Sequence, residues 1–192
     1  SGGTIKMLLT RPVKRWRILM SKFLTMILSV SFIVLSLGLL SYLISGAVFG
    51  YSGWTMPILT GFTTSGENLD TTNVHLIYQW QYLLMELGLA WFVGIIVGSI
   101  TLMLSVLIRS TAAVTGVMLA TLISGPILAN MVSSWESAKY LFMVNLRITN
   151  YISGGAPPIQ GMTLGFSMII LTIWGIAALL VAFITFTRRD VY

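Results

Sequence analysis

The sequence contains no cysteine and a single histidine, His75. Disulfide frameworks, thiolate metal sites, cysteine nucleophiles and a multi-histidine metal site are thereby excluded within this chain. Charge is scarce as well. Asp, Glu, Lys and Arg make up 8% of the residues, against about a quarter in ordinary soluble domains. So few charges cannot clothe a water-facing surface, so the chain must present itself to lipid or to partner subunits. Nucleotide and hydrolase signatures are missing too: there is no GxxxxGK[ST] phosphate loop, no HExxH and no GxSxG.

What is present is apolar. Hydrophobic residues form 56% of the chain, and the mean hydropathy is +0.92. Four runs are long enough to span a bilayer, for which about 20 helical residues are needed. They extend over roughly 23–44, 83–108, 111–132 and 162–186, and none holds an internal Lys, Arg or Asp. The expected fold is all-α, a polytopic membrane helix bundle with four spans over 23–192, preceded by a cytoplasmic segment over 1–22.

The net charge of +6 has one location. Lys6, Arg11, Lys14, Arg15, Arg17 and Lys22 precede the first apolar run with no acid among them, and later bases and acids cancel. A basic block suggests nucleic acid, but one that leads straight into a span is better explained by the positive-inside rule, so no nucleic-acid partner is expected. The block therefore faces the cytoplasm. Arg109 closes the second span on the same side, with Ser110 leaving room only for a tight turn, and Arg188 and Arg189 close the fourth. Both ends are expected in the cytoplasm of a multi-pass protein of the cell membrane, the inner or plasma membrane. Lys139 and Arg147 fall outside on this scheme, against the trend. Beginning at Ser1 rather than Met, the chain reads as part of a longer protein.

Both outer connections are long. Residues 46–82 carry Glu67 and Asp70 but no Lys or Arg. Val74–Leu84 is expected to form a helix on the outer surface. Residues 133–161 hold Tyr140, Phe142, Val144, Ile148 and Tyr151, too apolar for a solvated loop, and a short helix lying on, or dipping into, the outer leaflet is expected there. Gly154, Gly155, Pro157 and Pro158 then impose a turn. Gly94 with Gly98, and Gly161 with Gly165, have the GxxxG spacing of close helix packing, although glycine is common in membrane helices anyway. Gly125 and Pro126 should bend the third span. Trp54, Trp80, Trp91, Trp135 and Trp174 read as interface or packing residues.

The segment Gly3–Lys22 is the most informative. Thr10 is placed to cap a helix with Pro12 in its first turn. Val13, Trp16 and Met20 share one face of it, with Arg11, Lys14, Arg15, Arg17 and Lys22 around the rest. Such an amphipathic helix either anchors to the inner lipid surface or docks a cytoplasmic partner. Its pattern, Gly-Thr-Ile-Lys-x-Leu-Leu-x-Arg-Pro-Val-x-Arg-Trp-x-Ile-Leu-x-x-Lys, resembles the first cytoplasmic loop of ABC-2-type transporter permeases. Asn145–Gly154 is similar to the last outer loop of a bacterial subgroup of them, and Phe186–Tyr192 resembles its C-terminus.

The resemblance implies the last four of six spans, in the membrane subunit of a bacterial ABC exporter. Arg11, Pro12, Val13, Arg15 and Trp16 would be the coupling helix that seats in a separate ABC ATPase subunit. ATP and Mg would bind that partner, leaving this chain with no cofactor and no enzymatic activity of its own. A second permease copy, or a homologous permease, would complete the path. Glu86, the one acid in a span, is the candidate for that path or its outer gate, unless it merely snorkels or pairs with Lys139 or Arg147. Two other classes remain: an accessory or sensory membrane subunit, and a membrane-embedded enzyme, which the spans equip with no histidine. A tag fused after Tyr192 is expected to be reachable from the cytoplasm only; protease or impermeant-label access from the opposite side would overturn the four-span topology.

Overall fold

In hydrocarbon an unpaired backbone N–H or C=O has no water to turn to, so the apolar runs become helices. The computed structural model describes residues 15–65, 68–70, 74–108, 110–131, 135–155, 157–159 and 161–188. Four of its helices are long and apolar enough to cross a membrane: α1 (Arg15–Phe49), α2 (Gln79–Leu107), α3 (Thr111–Met131) and α4 (Leu164–Arg188). The chain is a helical membrane protein of four such helices.

Three of the four helices differ from their apolar runs at the ends. With no proline after Pro12 to interrupt it, α1 runs unbroken from Arg15, at a length of about 50 Å, far beyond the roughly 30 Å hydrocarbon core. Residues 15–22 are thus continuous with the first span rather than a separate surface helix. Polar side chains inside α1 return their hydrogens to the helix itself: the hydroxyls of Thr25, Ser29 and Ser31 donate to the carbonyls of Ser21, Thr25 and Ile27. Ser110 makes the expected tight turn workable, its Oγ accepting the Ala113 N–H (3.3 Å) to cap α3. Thr163 does the same for α4 through the Phe166 N–H (3.3 Å). α3 continues through Pro126.

α2 lies between α1 and α4. Glycine sets the approach. A Cβ on Gly94 would stand 2.8 Å from Val30 Cγ1, and Gly98 is covered by Met26, so this GxxxG face carries α1. From the other side Gly175 of α4 admits Ile96, whose Cδ1 would stand 2.6 Å from a Cβ there. Gly161 and Gly165 do not form the second expected pair. Gly161 precedes α4 with φ +83°, in a turn, and a Cβ at either position would meet nothing within 4 Å. One interhelical hydrogen bond joins α1 to α2, from Trp91 Nε1 to Ser31 Oγ (2.8 Å). The core gathers Ile96, Ile100, Met118, Phe142, Ile148 and Leu171.

The connection between α1 and α2 is not helical where a helix was expected. Residues 75–78 form a strand, and α2 starts only at Gln79. β1 (Pro57–Thr60) pairs antiparallel with β4 (His75–Tyr78), with Leu59 opposite Leu76 and Thr60 opposite His75. β2 (Thr63–Ser65) and β3 (Asn68–Asp70), between them in the chain, pair antiparallel as a second two-stranded sheet. The alternating side chains of 75–78 suit a pleated strand, and its partner lies fifteen or more residues back in the chain, beyond the reach of local pattern. The connection before α4 forms three short 3₁₀ helices, Glu136–Tyr140, Val144–Leu146 and Ile148–Tyr151, in place of the single helix expected.

Leu171 is wholly buried. Leu171→Ala is expected to destabilise the bundle by about 2–5 kcal/mol, and Trp91→Phe by about 0.6–1.7 kcal/mol through the lost interhelical hydrogen bond. Unfolding measured by steric trapping in bicelles checks the order; a larger loss for Trp91→Phe would contradict this packing.

Candidate functional site

The basic segment enters the structure at Arg15, the first residue of α1. Arg11, Pro12 and Val13, with the proposed Thr10 cap, lie outside the described residues. Trp16 is exposed, and the guanidinium carbon of Arg17 sits 5.8 Å from its ring centroid, a cation–π distance. Met20 is exposed as well, so the face shared by Trp16 and Met20 stands free of the bundle. The side chain that turns inward is Leu19. It is buried with Leu102 of α2 and Ala182 of α4, flanked by Phe23, Val106 and Phe183. The same two turns thus present an aromatic and basic surface outward and lock α1 to both neighbours inward.

Glu86 lies about two turns into α2 and is exposed. Its carboxylate is near enough to Tyr82, one turn earlier, to act on it electrostatically. Lys139 carries its ammonium over the Tyr140 ring, 5.6 Å from the centroid. Arg15 and Trp16 are thus the first two residues of α1, and Glu86 lies on a different helix, α2.

A second feature was not legible from sequence. An apolar groove of about 320 Å³ opens among α2, α3, α4 and the loop before α4, with Met103, Met118, Phe142, Trp174 and Val181 on its walls and Thr121 contributing a hydroxyl. Among the described residues its lining is apolar apart from the Thr121 hydroxyl, which suits it to an apolar moiety. Its lining comes from four separate stretches, and only the unusual apolarity of residues 140–148 hinted that this loop packs inward. No group of His, Cys, Asp and Glu able to hold a metal occurs among the described residues.

The loop that closes the groove is fixed by polar bonds under cover. Asn145 is buried, and its Nδ2 donates to the carbonyls of Lys139 and Leu141, both at 2.8 Å. Those two acceptors settle which end of the amide faces them. Trp174 Nε1 donates to the Tyr140 carbonyl (3.0 Å). The Tyr151 hydroxyl lies 3.0 Å from Ser167 Oγ; burial raises the phenol's pKa, and this hydrogen bond works against the rise. Gly125 of α3 seats Met143, which a Cβ would approach to 3.0 Å.

The comparisons with known proteins fit a membrane protein without assigning its activity. A family model described as protein of unknown function (DUF2705) matches residues 1–192. An uncharacterized protein of Bacillus subtilis (strain 168), YhcI, is 34% identical over 199 residues, covering 98% of this chain and 58% of its own length. An uncharacterized membrane protein of the same organism, YdbK, is 29% identical over 190 residues, covering 98% of this chain and 70% of its own. The chain thus spans little more than half of the first relative. No solved structure matches.

Removing the Asn145 amide takes its donor from the Lys139 and Leu141 carbonyls, a cost of about 1–3 kcal/mol. Asn145→Leu is expected to lower stability by that amount. Asn145→Asp is expected to lower it further at neutral pH, because a carboxylate would face two carbonyl oxygens, and to recover in part as the pH falls and the acid becomes a donor. Thermal unfolding of both variants at two pH values checks this; an Asp variant as stable as wild type at neutral pH would contradict the assignment.

Proposed function

The chain belongs to the DUF2705 family, and we propose that it is the permease part of an ATP-binding cassette exporter, driven by a separate ATPase subunit. The observation that carries the reading is the motif over Gly3–Lys22, with its resemblance to the coupling loop of ABC-2-type permeases. The structure is compatible with it: from Arg15 the segment runs directly into α1, and Leu19 ties that end of α1 to α2 and α4. A displacement of α1 at its Arg15 end would reach α2 and α4 through the close-packed side chains around Leu19.

In this reading Arg11, Pro12, Val13, Arg15 and Trp16 contact the ATPase, and ATP and Mg reside there. Closure of two ATPase subunits on ATP pushes the basic ends of two permease copies, and the spans rock as rigid bodies between inward- and outward-open states. ATP shifts that equilibrium by binding one ATPase arrangement better than the other. Glu86, exposed on α2, belongs to the path or its outer gate. Both ends of the chain are cytoplasmic. The substrate class stays open, as does export against import beyond the family's habit. An accessory or sensory membrane subunit is the competing reading, and a P-loop ATPase encoded beside this protein would favour the transporter.

Combined Arg15→Glu and Trp16→Ala substitutions are expected to leave membrane insertion intact and to abolish copurification of the ATPase. Trp16 is exposed, and the substitutions leave in place Leu19, which makes the buried contacts at this end, so the bundle should survive the change. Retained copurification would count decisively against the coupling role.

A further inference from the structure

The base of the hairpin is built inside out for a water-exposed element. Directly paired residues of an antiparallel ladder point to the same face. One face therefore carries Ile58 and Thr60 with Ile77 and His75, and the other carries Pro57 and Leu59 with Tyr78 and Leu76. The first face turns toward the protein: Thr60 is buried, Ile58 and Ile77 are half-buried, and only His75 is exposed. The second is exposed throughout, with Leu59 at 59% and Leu76 at 68% although they lie opposite each other. Its surroundings extend the patch, since Met56 and Trp80 are exposed too.

Water is a poor occupant for this face. Two opposed leucines, a proline and a tyrosine would sit on a two-stranded sheet, which is marginal by itself in water. The position of the face indicates what covers it. β4 ends at Tyr78 and α2, a membrane-spanning helix, begins at Gln79 with no residue between. The junction is clamped twice: the Gln79 N–H donates to the Met56 carbonyl (3.2 Å), and the Tyr78 N–H donates to Gln81 Oε1 (3.1 Å). The hairpin base is thus held where α2 crosses the boundary between hydrocarbon and water. Tyr78 and Trp80 flank that boundary, and so does the packed aromatic group of Tyr42, Tyr51 and Trp54 at the neighbouring end of α1. Such rings mark headgroup level in membrane proteins. No Lys or Arg occurs between Lys22 and Arg109, so the connection carries no cationic side chain that would hold it off the bilayer.

We propose that the Pro57, Leu59, Leu76 and Tyr78 face is a lipid-binding surface. The hairpin beds this face into the membrane interface beside α2, holding its opposite face against the protein. The surface is independent of the transport reading and rests only on the spans crossing a bilayer.

The chain contains no cysteine of its own, so the protein without introduced cysteines gives the background signal. Leu59→Cys, Leu76→Cys and His75→Cys variants of the full-length protein are spin-labelled in nanodiscs of mixed phosphatidylglycerol and phosphatidylethanolamine. Collision with lipid-soluble oxygen is compared with collision with a water-soluble nickel chelate. Labels at 59 and 76 are expected to favour oxygen and to report depths of about 5–10 Å below the headgroup boundary, as for other interfacial apolar faces. The label at 75 is expected to favour nickel. Labels at 59 and 76 that favour nickel would place the face in water and overturn the proposal. Labels shielded from both reagents would place it against a second copy or another protein, and would overturn it equally. The two leucine positions are read separately, so one poorly folded variant leaves the other decisive.

Discussion

The close approach of α2 to its two neighbours governs the rest of the bundle. Among lipid tails the hydrophobic effect gives one apolar helix no preference for another, so packing quality decides which helices associate. Gly94 and Gly98 let α1 lie against one side of α2, and Gly175 lets α4 lie against the other. The polar bond from Trp91 to Ser31 then pins the register between α1 and α2. With those contacts made, Leu19 falls between α2 and α4 at one end, and the hairpin and the 3₁₀ loop gather at the other. α3 has no comparable glycine seat on α2. It meets the bundle largely through Met118 and through Gly125 against Met143, and the apolar groove opens beside it.

The two ends of the molecule are built on different principles. At the basic end a continuous helix carries exposed Trp16 and Arg17 and buried Leu19, so an exposed aromatic and basic surface and an internal contact share two turns. At the opposite end irregular backbone is held by local polar bonds: Asn145 serves two carbonyls, Trp174 serves a third and the Tyr151 hydroxyl finds Ser167, although Asn145 Oδ1 is buried without a partner among the described residues. Non-helical backbone near a bilayer survives only on those terms. Gly154, at φ +79°, adds a joint between loop and hairpin, since a Cβ there would run into the Phe62 ring.

The candidate coupling residues were chosen from residue identity within one short stretch, and only Arg15 and Trp16 of the five fall among the described residues. Trp16 and Arg15 needed no tertiary information to be singled out. The groove was not legible, since Met103, Met118, Phe142 and Trp174 come from distant parts of the chain, and nothing in their spacing predicts a shared wall. The hairpin was missed for a related reason. A short apolar stretch entering a span reads equally as the start of that helix, and only pairing with residues 57–60 makes a strand of 75–78.

By itself the sequence determined the spans and the basic end. Both are properties of local composition: hydrocarbon demands helices from any apolar run of sufficient length, and a block of uncompensated charge resists crossing. Only the tertiary structure decided which glycines are contacts, Gly94 and Gly98 but not Gly161 and Gly165, and which face of Arg15–Lys22 turns inward. It alone decided that Leu59 and Leu76 point away from the protein. Those outcomes depend on what stands opposite each side chain, and that is set by the neighbouring helix or strand rather than by the residue's own place in the chain.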